Sequence, residues 1–206
     1  MSAVSAPFGL RPAYFPTGLE RAQALANGIA SGYSSNILKG QPIIYGQSGA
    51  SANGTIVVAT APSAGASAAS YPVTGSFQGV EWTDTTGRRR VSNYWPASTT
   101  YVTGSCIAYF YNDLNIVYEI QADGSMPQTS IGNEYNFTVA NIAAGSTTTG
   151  LSQATLNTTA VGNGVQGQMR VVDLAAYPDN NWGDAYTIVR VQLAITQFYG
   201  AYTAVA

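Results

Sequence analysis

The chain is predicted to be all-β, an antiparallel sandwich or partly open barrel with an extended N-terminal arm and little helix. Three observations carry this. From residue 41 onward, short runs rich in Val, Ile, Tyr and Phe recur between clusters of Gly, Asn, Asp and Ser, as strands do between turns. The last run alternates. Val189, Val191, Leu193 and Ile195 fall on one face, while Arg190, Gln192, Ala194 and Thr196 fall on the other, the pattern of a half-buried antiparallel strand. A helical period shows only once, and briefly, at residues 19–28.

In chain order, residues 1–42 read as the arm and residues 43–206 as the β domain. Pro7, Pro12 and Pro16 fix φ and push their predecessors toward extended backbone. The apolar residues between them, Phe8, Leu10, Tyr14 and Phe15, need a neighbouring surface. Residues 19–28 have the composition for two helical turns ending at Gly28. Strands are expected at 43–45 and 55–59, flanking a turn at 49–54, and after a small-residue loop at 62–70 again at 76–83 and 91–95. Residues 107–111 and 116–120 read as a hairpin turning at Asn112 and Asp113. The stretch near 140–164, rich in Ser, Thr, Ala, Gly and Asn, is expected as an exposed loop or insertion. Two longer strands, 166–174 and 185–197, close the chain around a turn at 177–184.

At 206 residues the chain is most simply one domain, large enough to bury a sizeable core. Its unusual property is charge: Asp, Glu, Lys and Arg make up 9%, against about 25% in a typical soluble domain. Seven of the eight basic residues are Arg, Lys39 being the one lysine, and there are 14 Tyr. Protein interfaces favour Arg and Tyr and deplete Lys, Asp and Glu, so this composition points to a subunit of an assembly. The expected edge strands carry little charge, so another subunit is the expected cover. A net charge of −2 and a pI of about 4.9 disfavour nucleic-acid binding. No apolar run approaches the ~20 residues of a membrane span, and the first residues show no charged and apolar pattern of a secretory signal.

Catalytic chemistry is disfavoured. The sequence has no histidine, which removes the commonest general base and metal ligand. With Cys106 the only cysteine, neither the usual zinc sites nor a Cys–His nucleophile can be built, and Cys106 itself reads as a buried structural thiol. Two carboxylate pairs, Glu81 with Asp84 and Asp179 with Asp184, lie in turn-flanked stretches and read as turn or surface residues. No catalytic, metal or cofactor-binding residues are expected. The Asn-x-Ser/Thr matches at Asn53, Asn136 and Asn157 read as coincidence in an Asn/Thr-rich chain.

The densest positive charge is Arg88-Arg89-Arg90, between Trp82 and Trp95. Three readings stand. The run can bind phosphate, although Glu81 and Asp84 are close by. It can be a solvated hairpin tip, with Asp84-Thr85-Thr86-Gly87 as the turn and the arginines opposite the acids. Or it can clamp carboxylates of a partner, with Trp82, Tyr94 and Trp95 as apolar anchors. The candidate interface residues are therefore Phe8, Leu10, Arg11, Tyr14 and Phe15 in the arm, and Trp82, Arg88, Arg89, Arg90, Tyr94 and Trp95 around the arginine run.

Three blocks of the sequence carry a resemblance. Ser5-Ala6-Pro7-Phe8-Gly9-Leu10-Arg11-Pro12 is one, and Ser31 to Ile43 with Gly54-Thr55-Ile56 the second. Gly75 to Trp82, running on through Tyr94-Trp95-Pro96-Ala97, is the third. Together they resemble the capsid decoration, or cement, proteins of tailed bacteriophages over roughly residues 5–125. That resemblance implies a virion protein made in the bacterial host cytoplasm. It would bind the outer surface of an icosahedral head, with the major capsid protein and copies of itself, as dimer or trimer, for partners. The competing expectation is a receptor- or glycan-binding accessory of the tail or fibre, with exposed Trp and Tyr as a sugar platform.

Overall fold

Short strands, some buried on one face and some on both, assemble here into two six-stranded sheets and one two-stranded sheet. The computed structural model describes residues 2–18, 21–46 and 54–198. Fourteen strands occur in it: β1 (Arg11–Tyr14), β2 (Gln23–Ala26), β3 (Pro42–Tyr45), β4 (Ile56–Val58), β5 (Gly75–Thr83), β6 (Arg89–Ser92), β7 (Ile107–Tyr111), β8 (Val117–Gln121), β9 (Glu134–Phe137), β10 (Gly145–Ser146), β11 (Leu151–Ser152), β12 (Leu156–Ala160), β13 (Met169–Leu174) and β14 (Ile188–Leu193). The only helical element among the described residues is a 3-10 turn at Gln128–Ser130.

The first sheet has the order β1-β8-β14-β13-β9-β12, and the second the order β2-β7-β5-β3-β4 with β6 also on β5. Every strand pair is antiparallel. The arrangement is sandwich-like and not a closed barrel. Between the sheets lies a core of Leu10, Tyr118, Ile120, Phe137, Leu156, Val189 and Val191, against which Ile44 and Tyr111 of the second sheet pack. A second core, including Ile37, Ile43, Phe77, Trp82, Trp95 and Phe110, covers the other face of that sheet. β3 shows the division: Ile43 points into the second core and Ile44, its neighbour, into the first.

The N-terminal segment is extended, as its prolines require, but the surface it needs belongs to its own chain. β1 pairs with β8, opposing Arg11 to Glu119 and Pro12 to Tyr118. Pro12 lies on an edge strand, where a missing N–H costs no ladder bond. Leu10 is fully buried in the first core, and its carbonyl accepts the Ser76 hydroxyl at 2.6 Å. The described residues of 1–42 therefore contribute to both sheets, through β1 and β2, and are not a separate arm. A tight crossing holds the entry: the Leu10 amide donates to the Gly40 carbonyl at 2.7 Å. Gly9, with φ +76°, has no room for a Cβ, which would stand 2.5 Å from that oxygen.

Other expectations are corrected too. Of the helix expected at 19–28, Leu19 and Glu20 lie outside the described residues, and Gln23–Ala26 form β2 against β7. Leu25 packs on the second core while Ala24 and Ala26 face outward, so cross-strand packing overrides a helical preference two turns long. Residues 107–120 turn at Asp113, whose carboxylate accepts the Asn115 amide at 2.8 Å, but they are not a hairpin. β7 stays in the second sheet and β8 enters the first, so the turn is a corner between layers. The stretch 140–164 is ordered: β10 and β11 form a small hairpin and β12 is an edge strand of the first sheet. Ser152, Ala154 and Leu156 are fully buried there. Asp123 clamps it, accepting from the Thr138 hydroxyl at 2.8 Å and the Thr158 amide at 3.0 Å. β9 and β12 went unforeseen, whereas β13 and β14 pair around their expected turn. Asn180 closes that turn from inside, donating to the Ala175 and Ile188 carbonyls at 2.8 Å each.

Candidate functional site

The arginine run lies where a β5–β6 hairpin puts it. Thr83 opposes Arg89, Trp82 opposes Arg90 and Glu81 opposes Val91. Asp84 makes the tip: its carboxylate accepts the Thr86 amide at 2.9 Å and the Arg88 amide at 3.0 Å, and Gly87 supplies the φ of +83° that the turn requires. Arg90 pairs with Asp84 at 2.9 Å, and Arg89 pairs with Glu81. Glu81 also accepts the Tyr109 hydroxyl at 3.1 Å. These contacts hold both carboxyls low. For Glu81 the main cause is the Arg89 hydrogen bond; for Asp84 it is the Thr86 hydroxyl, followed by the Arg88 amide. Two of the three guanidinium groups are thus engaged within the subunit, and the Arg88 guanidinium has no ion pair among the described residues.

Trp82 and Trp95 do not anchor a partner. They are 7% and 0% exposed and meet edge to face in the second core, with Tyr101 against Trp95. The strand period decides this: Trp82 shares the face of Val80, pointing away from Glu81. Tyr94 is half-buried. Trp182, the remaining tryptophan, packs half-buried against the first core. A sugar platform built from exposed tryptophans is therefore absent among the described residues.

The N-terminal candidates form a second surface. A cleft of about 240 Å³ runs between Phe8, Leu10, Arg11 and Pro12 on one side and Lys39, Gly40, Gln78 and Leu151 on the other. Arg11 stacks over the Phe8 ring at 4.2 Å and pairs with Glu119 at 2.9 Å. Glu119 also faces Arg190 at 3.6 Å and accepts the Tyr177 hydroxyl at 2.5 Å. Burial, then this hydrogen bond, pushes the Tyr177 hydroxyl up. Leu10 is core; Tyr14, 44% exposed, lies under Arg190; and Phe15 packs edge to face on Tyr111 at 5.3 Å. Lys39 and Leu151 were not singled out in the sequence, although Lys39 is its only lysine. The start of β5, far from the arginines, joins the cleft to the arginine hairpin: Ser76 donates to the Leu10 carbonyl at 2.6 Å, and the Gly40 amide donates to the Phe77 carbonyl at 2.7 Å.

The carboxylate pair Asp179 and Asp184 belongs to the β13–β14 turn, where Asp184 accepts from the Ser2 hydroxyl and the Asn181 amide. Of the glycosylation matches, Asn136 is fully buried, Asn157 donates to Asp123 at 3.1 Å, and Asn53 lies outside the described residues. Cys106 is buried, and burial pushes its thiol up. No protein-family model, curated protein or solved structure matches the chain.

Proposed function

We propose that the chain is a capsid decoration protein, binding the outer surface of an icosahedral phage head and stabilising contacts between capsomers. The observation that carries this reading is a surface that neutralises its own charge. Arg11, Arg89, Arg90, Arg170 and Arg190 all pair with carboxylates of the same subunit. Outside these pairs the surface is mostly uncharged and polar, with Lys39 and Arg88 among its few remaining charges, and it carries large apolar residues: Val4 is 63% exposed, Val91 73% and Val139 54%. Such a surface is poorly suited to a phosphate backbone, which is bound by unpaired cations, and well suited to an extended protein contact.

The mechanism is thermodynamic linkage. A ligand that binds only the expanded, assembled lattice stabilises that lattice by its binding free energy. Contact with two neighbouring capsomers at once adds avidity without large area at either. The cleft beside Phe8 and Lys39 offers such a contact an apolar wall and one cation. The test is addition of purified protein to heads stripped of it. Their resistance to heat and low salt is expected to rise with occupancy. Unchanged resistance at saturating protein overturns the reading.

A further inference from the structure

An asparagine loses its side-chain amide most readily when glycine follows it, because glycine leaves the next backbone nitrogen unhindered and free to move. Asn-Gly occurs three times in the chain, at 27–28, 53–54 and 163–164, and Asn53 lies outside the described residues. The fold treats the other two pairs differently. Asn163 and Gly164 form the middle of a turn between β12 and β13, where the Val165 amide donates to the Gly162 carbonyl at 3.0 Å and Gly164 has φ +76°. Gly162, Asn163 and Gly164 are all exposed. Among the described residues neither the Asn163 side chain nor the Gly164 amide has a hydrogen-bond partner, and nothing stands within 4 Å of a Cβ built on Gly164. At 27–28, by contrast, Gly28 is buried with no room for a Cβ, which would stand 2.6 Å from that of Ala108. The Gly28 carbonyl accepts the Ile56 amide at 2.7 Å, and the Asn27 amide donates to the Cys106 carbonyl at 2.7 Å.

We propose that Asn163 is a site of spontaneous covalent modification, where the turn lets the side-chain amide become a carboxylate with water as the only co-reactant. The Gly164 nitrogen attacks the Asn163 Cγ. The new N–C bond closes a succinimide ring, the Cγ–Nδ2 bond breaks, and the proton of the Gly164 nitrogen leaves with ammonia. Water then opens the ring at either carbonyl, giving aspartate or, with the backbone rerouted through the side chain, isoaspartate. Ring closure requires the Gly164 nitrogen to swing toward Cγ. In the exposed turn this disturbs one backbone hydrogen bond, a cost typical of loop tips. At 27–28 the same movement has to open the packing of Gly28 on Ala108 and the bonds to Cys106 and Ile56. The product adds one negative charge to a chain of net charge −2, in a loop that belongs to neither core, so the fold survives the change. The inference does not rest on the capsid reading.

The test is peptide mapping by mass spectrometry of the full chain after incubation at mildly alkaline pH, once folded and once unfolded in urea. In the folded chain, conversion at position 163 is expected to run about tenfold or more ahead of conversion at 27, the factor that ~1.4 kcal/mol of local opening imposes. Unfolding should bring the two rates together. Both aspartate and isoaspartate should appear at 163, the signature of the ring. Asn163→Gln, whose longer side chain closes a ring poorly, should keep its amide over the same period. A folded chain that keeps Asn163 intact overturns the proposal, as does a ratio between the two positions that unfolding leaves unchanged. So does aspartate at 163 without isoaspartate, or an Asn163→Gln chain that loses its amide as fast as wild type.

Discussion

The rings of Trp82 and Trp95 meet edge to face with centroids 5.4 Å apart, directly behind the strand pair that carries Arg89 and Arg90. Aromatic residues beside an exposed cationic run are thus the interior support of the hairpin and not its contact surface. Trp95→Ala should cost about 3–5 kcal/mol, as truncation of a fully buried aromatic side chain does. Replacing Arg88, Arg89 and Arg90 together by Ala should leave the unfolding midpoint close to wild type, because exposed ion pairs contribute little. Urea unfolding followed by tryptophan fluorescence checks both. Equal destabilisation by the two changes would contradict the assignment.

The N-terminal segment is part of the fold. Leu10→Ala should destabilise by about 2–5 kcal/mol, the range for a buried leucine. Deleting residues 1–16 should be worse, since it also removes β1 from β8 and the Ser76–Leu10 hydrogen bond. Thermal melts of the three proteins give the order. A truncated chain as stable as the full one would show that the segment only rests on the sheet.

Two glycines of similar φ separate backbone strain from crowding. Gly18, at φ +75°, has nothing among the described residues within reach of an added Cβ, whereas Gly9, at φ +76°, has the Gly40 oxygen and the Ser152 Cβ within 2.7 Å. Gly18→Ala should lose only the left-handed penalty, about 1–2 kcal/mol. Gly9→Ala should lose distinctly more, because backbone must shift. Equal midpoints for the two variants would mean that the crossing at Gly40 is slack.

Acid should loosen the hairpin tip before the rest. Glu81 and Asp84 are both held low in the folded state, by Arg89 and by the Thr86 hydroxyl respectively. A depressed folded value means that the stabilisation is complete above the ordinary carboxylate range and is lost as pH falls below it toward the folded values. The protection of the Thr86 and Arg88 amides, taken relative to their intrinsic exchange rates, should therefore be flat near neutral pH and fall, unlike that of the core strands, from about pH 4 downward. Asp84→Asn, which retains an acceptor but loses the charge, should flatten that response. An unchanged acid profile in the variant would assign the effect elsewhere.

The strand-rich domain was legible because its cue is local: β3, β5, β13 and β14 announce themselves by alternation and branched or aromatic residues. What escaped was decided by partners distant in sequence. Gln23–Ala26 has no intrinsic strand pattern and becomes β2 only because β7 offers an edge. Residues 107–120 satisfy every local rule for a hairpin, yet the two strands enter different sheets, a choice set by the cores on either side. Leu151 and Lys39 meet through a bridge between segments over a hundred residues apart, so the cleft they line had no signature in either segment. For the arginine run, cross-strand pairing with Glu81 and Asp84 was foreseeable from the hairpin, whereas the inward orientation of Trp82 depended on the register.

The central proposal, attachment to the outside of a phage head between capsomers, is tested most directly by electron cryomicroscopy of intact phage particles purified from cells that produce this chain. The account predicts density fitting this two-sheet sandwich at every equivalent lattice position on the outer shell, bridging neighbouring capsomers. A shell surface without such density, or the sandwich found only at the tail, would contradict it.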